Sequence, residues 1–236
     1  MATPADPLSR RRSLGLLLGG APALLLGGCA LNGVGEAVGT VTQPLNERIE
    51  ALLQGKGKLP EFRPSQVDPA ALLINSFNGT PEIDPGGYRL AVAGLVSRPQ
   101  RLDLTALAAL PQHQCVIRHV CVEGWSAVVA WSGPRLADVL ALAGLSPLAG
   151  YVFIESADQY YESWDLASAL HPQTLLATHM NGAPLPAANG APVRLATPIK
   201  LGYKLSKWVT GLKLMATLGD RRGYWEDQGY EWFAGL

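Results

Sequence analysis

Three cysteines, Cys29, Cys115 and Cys121, are the softest donors in the 236-residue chain. A thiolate binds soft or high-valent metals well and becomes a nucleophile when its proton is drawn off. Cys121 stands out by its neighbours. It ends the stretch Gln112 to Val120 and opens a Gly/Trp loop, His119-Val120-Cys121-Val122-Glu123-Gly124-Trp125-Ser126, which can present the sulfur to a bound group. Residue type alone leaves three roles open: a buried structural thiol, half of a disulfide with Cys115, or a metal ligand. Six residues apart in one strand, the two cysteines share a face but sit too far apart to bridge easily. No Cys/His cluster has zinc-site spacing.

More than sixty positions downstream lies a second set of polar residues: Asn189, Arg194 and the run Lys204-Leu205-Ser206-Lys207. Singly, each has a plain structural reading: a salt-bridged strand arginine, a solvated basic face, an Asn-Gly turn. Formal net charge is zero, so no global field draws nucleic acid or an anionic membrane, and an anionic ligand must be held by local charge. Neither GxGxxG nor a Walker pattern is present, so nothing points to a dinucleotide or a P-loop nucleotide.

The elements that must position these residues are short. With 26 glycines and 18 prolines, the chain reads as α+β with mixed sheets and short helices in a single domain. Strands are expected at Tyr88–Val96, Leu102–Leu104, Gln112–Val120, Tyr151–Ser156, Leu175–Met180, Val193–Ala196 and Lys207–Ala216. Helices are expected from Thr105 to Leu110, from Pro134 to Ala143 with Leu136, Val139, Leu140 and Leu142 on its apolar face, and from an Asp165 cap to Leu170. Within the strand before Cys121, His119 points the same way as the cysteine while Arg118 points the other. Glu123 is read as holding the loop by hydrogen bonds. Trp125 and Trp131 read as loop packing, Asp158, Tyr160 and Tyr161 as the mouth of a pocket, and the aromatic tail after Gly223 as a cover for the core.

The N-terminus reads as an address. Arg11-Arg12-Ser13-Leu14 and a short apolar run to Leu26 look like a twin-arginine signal peptide, and Leu26-Gly27-Gly28-Cys29 like a lipobox. Residues 1–29 are thus expected to be a lipoprotein signal, with a lipid anchor at Cys29. Residues 30–65 are expected to be a tether and 66–236 the domain.

The run HVCVEGWS, followed by AVVAWSGPRL, GAPVRLATPIKLGYKLSKWV and GYWEDQGYEW, resembles the molybdopterin-binding domain of the sulfite oxidase family from about Asn75 to the end. It is most like the bacterial periplasmic branch similar to the catalytic subunit of protein-methionine-sulfoxide reductase. The resemblance implies the sulfite-oxidase fold, with Cys121 as the protein ligand to the metal of a molybdenum-molybdopterin cofactor. It implies that Asn75, Asn78, Gly79, Ser156, Asn189, Arg194, Lys204, Leu205, Ser206 and Lys207 contact that cofactor, the last four as a loop whose backbone N–H groups and lysine hold the phosphate. The implied activity is oxygen-atom transfer of the sulfoxide-reductase kind on a small-molecule or protein-bound oxygen donor, in the periplasm or cell envelope. No Arg-Arg pair lies near Cys121, which disfavours sulfite. The chain ends soon after the cofactor loops, so neither a haem nor a dimerisation domain is expected. Electrons are then expected from a separate membrane or periplasmic cytochrome or flavoprotein. A non-catalytic exported lipoprotein, keeping the fold as a binding module, is the alternative.

Overall fold

A computed structural model of the protein describes residues 57–236. The expected signal peptide, the lipobox with Cys29 and the tether up to residue 56 lie outside the described residues. Among those described, no helix is long and apolar enough to cross a membrane.

The larger sheet has five strands. β1 (Leu90–Gly94) pairs antiparallel with β2 (Gln100–Leu102) and parallel with β11 (Val209–Met215). β11 in turn pairs antiparallel with β5 (Tyr151–Ser156), and β5 with β6 (Tyr161–Asp165). Alternate residues Leu90, Val92, Val152, Ile154, Leu212 and Leu214 are buried, as the two-residue period of a half-buried sheet requires. Against this face lie α1 (Leu104–Ala108) and α2 (Leu136–Leu142). Asp103, not Thr105, caps α1, accepting from the Ala106 N–H at 2.8 Å. Asp165 caps α3 (Leu166–Ala169) as its position suggests, accepting from Ser168 N–H at 2.7 Å.

α2 starts later than the sequence implies. Pro134 is the last residue of a strand, paired with Gln112, and Arg135 occupies the N-cap. Leu136, Val139 and Leu140 are fully buried, but Leu142 is exposed. Six residues on, it sits about 240° around the helix from Leu136, on the far side.

The second sheet carries the loop of interest. β3 (Gln112–Val120) and β4 (Ser126–Pro134) form a long antiparallel hairpin, followed by β8 (His179–Met180) and β9 (Ala183–Pro184). β4 has no counterpart among the expected strands. The single strand expected over Leu175–Met180 divides at Thr178: β7 (Leu175–Ala177) pairs with β10 (Arg194–Ala196) in a separate two-stranded sheet, and β8 joins β4. Residues 59–62, expected as the end of the tether, dock on the domain. Phe62 N–H donates to Val116 O at 2.9 Å, and Leu59 N–H donates to Gln173 Oε1 at 2.7 Å. Arg118, on the outer side of β3, stacks over Phe62.

Candidate active site

The β3–β4 hairpin closes at Cys121. Its N–H donates to Trp125 O at 2.9 Å, and its carbonyl accepts from Gly124 N–H at 3.1 Å. This tight turn holds the half-buried sulfur at one wall of a cavity of about 650 Å³. Cys115 is also a free thiol, buried further along β3, so no disulfide links the two. Burial pushes the Cys121 thiol up from its ordinary value, and the charge of Glu123 adds to the effect. A metal cation at Sγ removes that proton outright.

Glu123 organises the loop. Its Oε2 accepts from Asn75 Nδ2 at 2.8 Å, from Trp125 Nε1 at 2.9 Å and from Cys121 S–H at 3.6 Å. The bonds from Trp125 and Asn75 favour the charged carboxylate and hold it below the usual range. Asn75 thereby ties residues 72–80, which carry no helix or strand, to the cysteine loop. Its carbonyl also accepts from Lys207 Nζ.

Another part of the lining is cationic. Arg194 is buried, with Nη1 donating to Asn189 O at 2.8 Å, Nε to Leu195 O at 3.2 Å and the guanidinium 4.6 Å from the Trp131 ring centre. Lys207 Nζ donates to Ala188 O at 3.0 Å. Among the described residues neither cation pairs with a carboxylate within salt-bridge distance. Burial lowers Arg194 to about 9, and burial with the Arg194 charge lowers Lys207 to about 8. Arg194 is buried and Lys207 half-buried, with the Asp158 carboxylate offsetting part of the lysine's charge, and an anion relieves the cost that remains.

Two glycines let these walls approach. A Cβ on Gly190, whose φ is +108°, would fall 2.9 Å from Lys207 Cβ and 3.1 Å from Arg194 Cβ. One on Gly202 would fall 2.9 Å from His119 Nε2 and 3.2 Å from Val120 O. His119 does share the inward side with Cys121. It stacks on Trp125, and its Nδ1 is buried without a partner, as is Ser206 Oγ. Burial, then Arg194 and Lys207, lower the histidine to about 3, so the ring is neutral. Trp208 adopts φ +48°, a left-handed conformation rare for a bulky residue, directly after Lys207.

Of the residues singled out from sequence, the fold brings Cys121, Asn75, Asn189, Arg194, Leu205, Ser206 and Lys207 around this cavity. Four stand elsewhere. Asn78 donates to Asp158 O at 3.1 Å and pins the 72–80 segment, while Gly79 lies exposed with open space around it. Ser156 ends β5 and is not part of the lining, and its Oγ is buried and unpartnered. Lys204 points away: its Nζ, fully buried, sits 2.6 Å from Glu162 Oε1 and 2.5 Å from Glu226 Oε1. Nor do residues 204–206 offer free N–H groups, since theirs donate to Leu201 O, Gly202 O and Lys204 O. The three-residue spacing of the lysines hides a reversal, because a 3-10 turn ends at Lys204 and the chain bends before Lys207.

Asp158 and Tyr160 do line the cavity, whereas Tyr161 does not. Trp225, Tyr224 and Tyr230 of the tail also line it, so the tail is not simply a cover; Trp232 and Phe233 are the buried members. Gly202, Tyr203 and residues 72–74 were not foreseen as part of the wall. A Gly-Tyr opening the lysine run was the available signal for the first two.

Residues 77–225 match the oxidoreductase molybdopterin-binding domain. The chain belongs to this family of oxidoreductases. It is 41% identical over 217 residues to a putative protein-methionine-sulfoxide reductase subunit of Azospira oryzae, covering 89% of this chain and 82% of that one. It is 32% identical to the protein-methionine-sulfoxide reductase catalytic subunit MsrP of Gluconobacter oxydans, covering 90% and 72%. Sulfane dehydrogenase SoxCD of Paracoccus pantotrophus shares the fold, with a TM-score of 0.58 at 23% identity over 61% of this chain and 42% of that one. The sulfite-oxidase-like, mixed-sheet fold expected from the sequence is therefore the fold observed.

Membership makes the chain an enzyme with a molybdenum-molybdopterin cofactor, against the non-catalytic alternative. The residues present fit that group. An anionic pterin phosphate complements buried Arg194 and half-buried Lys207, neither of which has a carboxylate within salt-bridge distance among the described residues, and the unpartnered His119 Nδ1 and Ser206 Oγ offer it hydrogen bonds. The free thiol lining the same cavity is a suitable soft ligand.

Proposed function

We propose that the chain is an exported sulfoxide reductase, in which Cys121 is the protein ligand to molybdenum and Asn189, Arg194, Ser206 and Lys207 hold the pterin. The observation that carries this reading is a presented free thiol lining the same cavity as buried Arg194 and half-buried Lys207, neither within salt-bridge distance of a carboxylate among the described residues. The names of the relatives support a sulfoxide on methionine as the substrate. The net reaction takes two electrons and two protons. The sulfur–oxygen bond of the sulfoxide breaks, the sulfur is reduced to a thioether and the oxygen leaves as water. The bound cofactor supplies the redox centre that exchanges the oxygen atom.

The chain's own residues orient and protonate. Asn75 and Glu123 fix the Cys121 loop, Glu123 stands exposed beside the sulfur as a route for protons, and Asp158 is a buried carboxyl raised above its ordinary value. The relatives' names, a reductase subunit and a catalytic subunit, support electrons being delivered by a separate carrier. The twin-arginine and lipobox patterns of the sequence support a location in the periplasm or cell envelope, with a lipid anchor at Cys29 as part of this proposal.

The test is a reduced-dye assay on enzyme purified from the cell envelope of a molybdenum-replete host. Oxidation of the dye on adding methionine sulfoxide, lost in Cys121→Ala, is expected. An active, molybdenum-replete Cys121→Ala enzyme contradicts the reading.

A further inference from the structure

Arg194 is held in a frame that leaves part of its fork unused. A guanidinium has five N–H donors. Three of them go to main-chain carbonyls: Nη1 to Asn189 O at 2.8 Å, Nε to Leu195 O at 3.2 Å and Nη2 to Leu205 O at a long 3.5 Å. One N–H on each terminal nitrogen remains, on a side chain that lines the cavity. No carboxylate lies within salt-bridge distance of it among the described residues. Lys204 shows the other way to bury a cation. Its ammonium donates to Glu162 Oε1, Glu226 Oε1 and Ser163 O, so all three of its N–H groups are engaged.

What Arg194 has instead is the face of Trp131, with the guanidinium carbon 4.6 Å from the ring centre. Trp131 lies within β4, fully buried, and is not part of the cavity lining. Gly133, on the same side of the strand, brings β4 hard against β7: a Cβ there would fall 2.1 Å from Leu176 O. β7 in turn pairs with β10, which carries Arg194. Main-chain packing thus sets the ring against the guanidinium. The indole N–H plays no part in this. Of the four buried tryptophans, Trp164, Trp208 and Trp232 donate to Lys204 O, Ala187 O and Ser163 Oγ, whereas Trp131 Nε1 is without a partner among the described residues. A buried donor left unpaired is costly, and a phenylalanine would avoid that cost. An indole has the stronger π face for a cation.

We infer that Trp131 is a positioning residue for the anion site: its indole face offsets the Arg194 charge from behind and, taking none of the N–H bonds, leaves the fork open to the pterin phosphate. A carboxylate in the same place would offset the charge equally but would compete with the phosphate for those bonds. The tryptophan acts through Arg194 and touches no ligand itself. This rests on the reading of Arg194 as a holder of the pterin and adds the residue that aims it.

The experiment uses the full-length chain free of cofactor, with inorganic phosphate as the probe and titration calorimetry well below the melting temperature. Trp131→Leu is expected to bind phosphate about tenfold more weakly than the wild type, equivalent to about 1.4 kcal/mol. Trp131→Phe, which keeps a ring behind the guanidinium, is expected to recover most of that loss. Pterin content of enzyme purified from a molybdenum-replete host is expected to follow the same order. A second measurement separates the π face from packing. Tryptophans carrying one to three ring fluorines are placed at position 131 alone, which weakens the face while changing the shape of the ring little. The melting temperature is expected to fall stepwise by roughly 2–6 °C across the series. In an Arg194→Met background, where no cation is left to hold, the series is expected to be flat.

If Trp131→Leu binds phosphate as tightly as the wild type, or if the fluorine series is flat with Arg194 in place, the role of Trp131 is refuted while the reading of Arg194 stands. A series that falls equally in the Arg194→Met background assigns the ring to packing and also refutes the role. If Arg194→Met binds phosphate as the wild type does, the reading of Arg194 falls, and the inference with it.

Discussion

Replacing Lys204 by Met separates the two lysines that the sequence groups together. Lys204 Nζ is fully buried and lies between Glu162 and Glu226, with a further bond to Ser163 O at 3.1 Å. Removing the cation leaves two carboxylates facing each other in the interior, where breaking a buried pair costs about 3–5 kcal/mol. For a domain of this size that lowers the melting temperature by roughly 6–20 °C. The loss has a defined pH dependence. Glu162 is raised well above its ordinary 4.5, chiefly by burial, and Lys204 is what pulls it back. A carboxyl with a raised native pKa binds its proton more tightly folded than unfolded, so stability falls as pH climbs from the unfolded value through the native one. Without Lys204 the native value rises further. Thermal melts of the cofactor-free chain followed by circular dichroism are therefore expected to show a deficit larger at pH 8 than at pH 5, with partial recovery in Lys204→Met/Glu162→Gln. A Lys204→Met protein that melts like the wild type, or whose deficit is larger at pH 5, refutes the reasoning.

Lys207→Met is expected to do the opposite, leaving the melting temperature of the cofactor-free chain within a few degrees while lowering pterin content severalfold; the reverse outcome puts the phosphate at Lys204. Gly202→Ala sets a Cβ 2.9 Å from His119 Nε2, and overpacking of this kind costs about 1–3 kcal/mol. A melting temperature equal to wild type excludes the close approach of the 202–207 loop to the cysteine strand. His119→Ala is expected to reduce molybdenum occupancy, with restoration by His119→Asn, whose amide falls near Nδ1, and none by His119→Phe. Rescue by Phe instead assigns the ring a packing role only.

How far the sequence could be read depended on what each residue faces. β3 and the inward side of His119 and Cys121 were legible because one polar and one buried side alternate near its end. β4 was not, since Ala127, Val129, Ala130 and Trp131 are all buried and a strand covered on both faces loses its period. β6 was hidden for another reason: Glu162 and Ser163 are polar yet buried, held by Lys204, Arg222 O and Trp232. Arg194 and Asn189 were readable as a pair, and the structure joins them through the Asn189 carbonyl. The places of Leu73, Ile74 and Trp225 in the cavity lining arise only when distant segments meet, which no local pattern encodes.

The central claim is that the Cys121 sulfur binds molybdenum, and X-ray absorption at the molybdenum edge tests it most directly. Wild-type enzyme and Cys121→Ser are compared at equal metal loading. The mutant is expected to lose one molybdenum–sulfur scattering path relative to the wild type. An unchanged sulfur count in Cys121→Ser contradicts the assignment, because every remaining sulfur would then come from outside this residue.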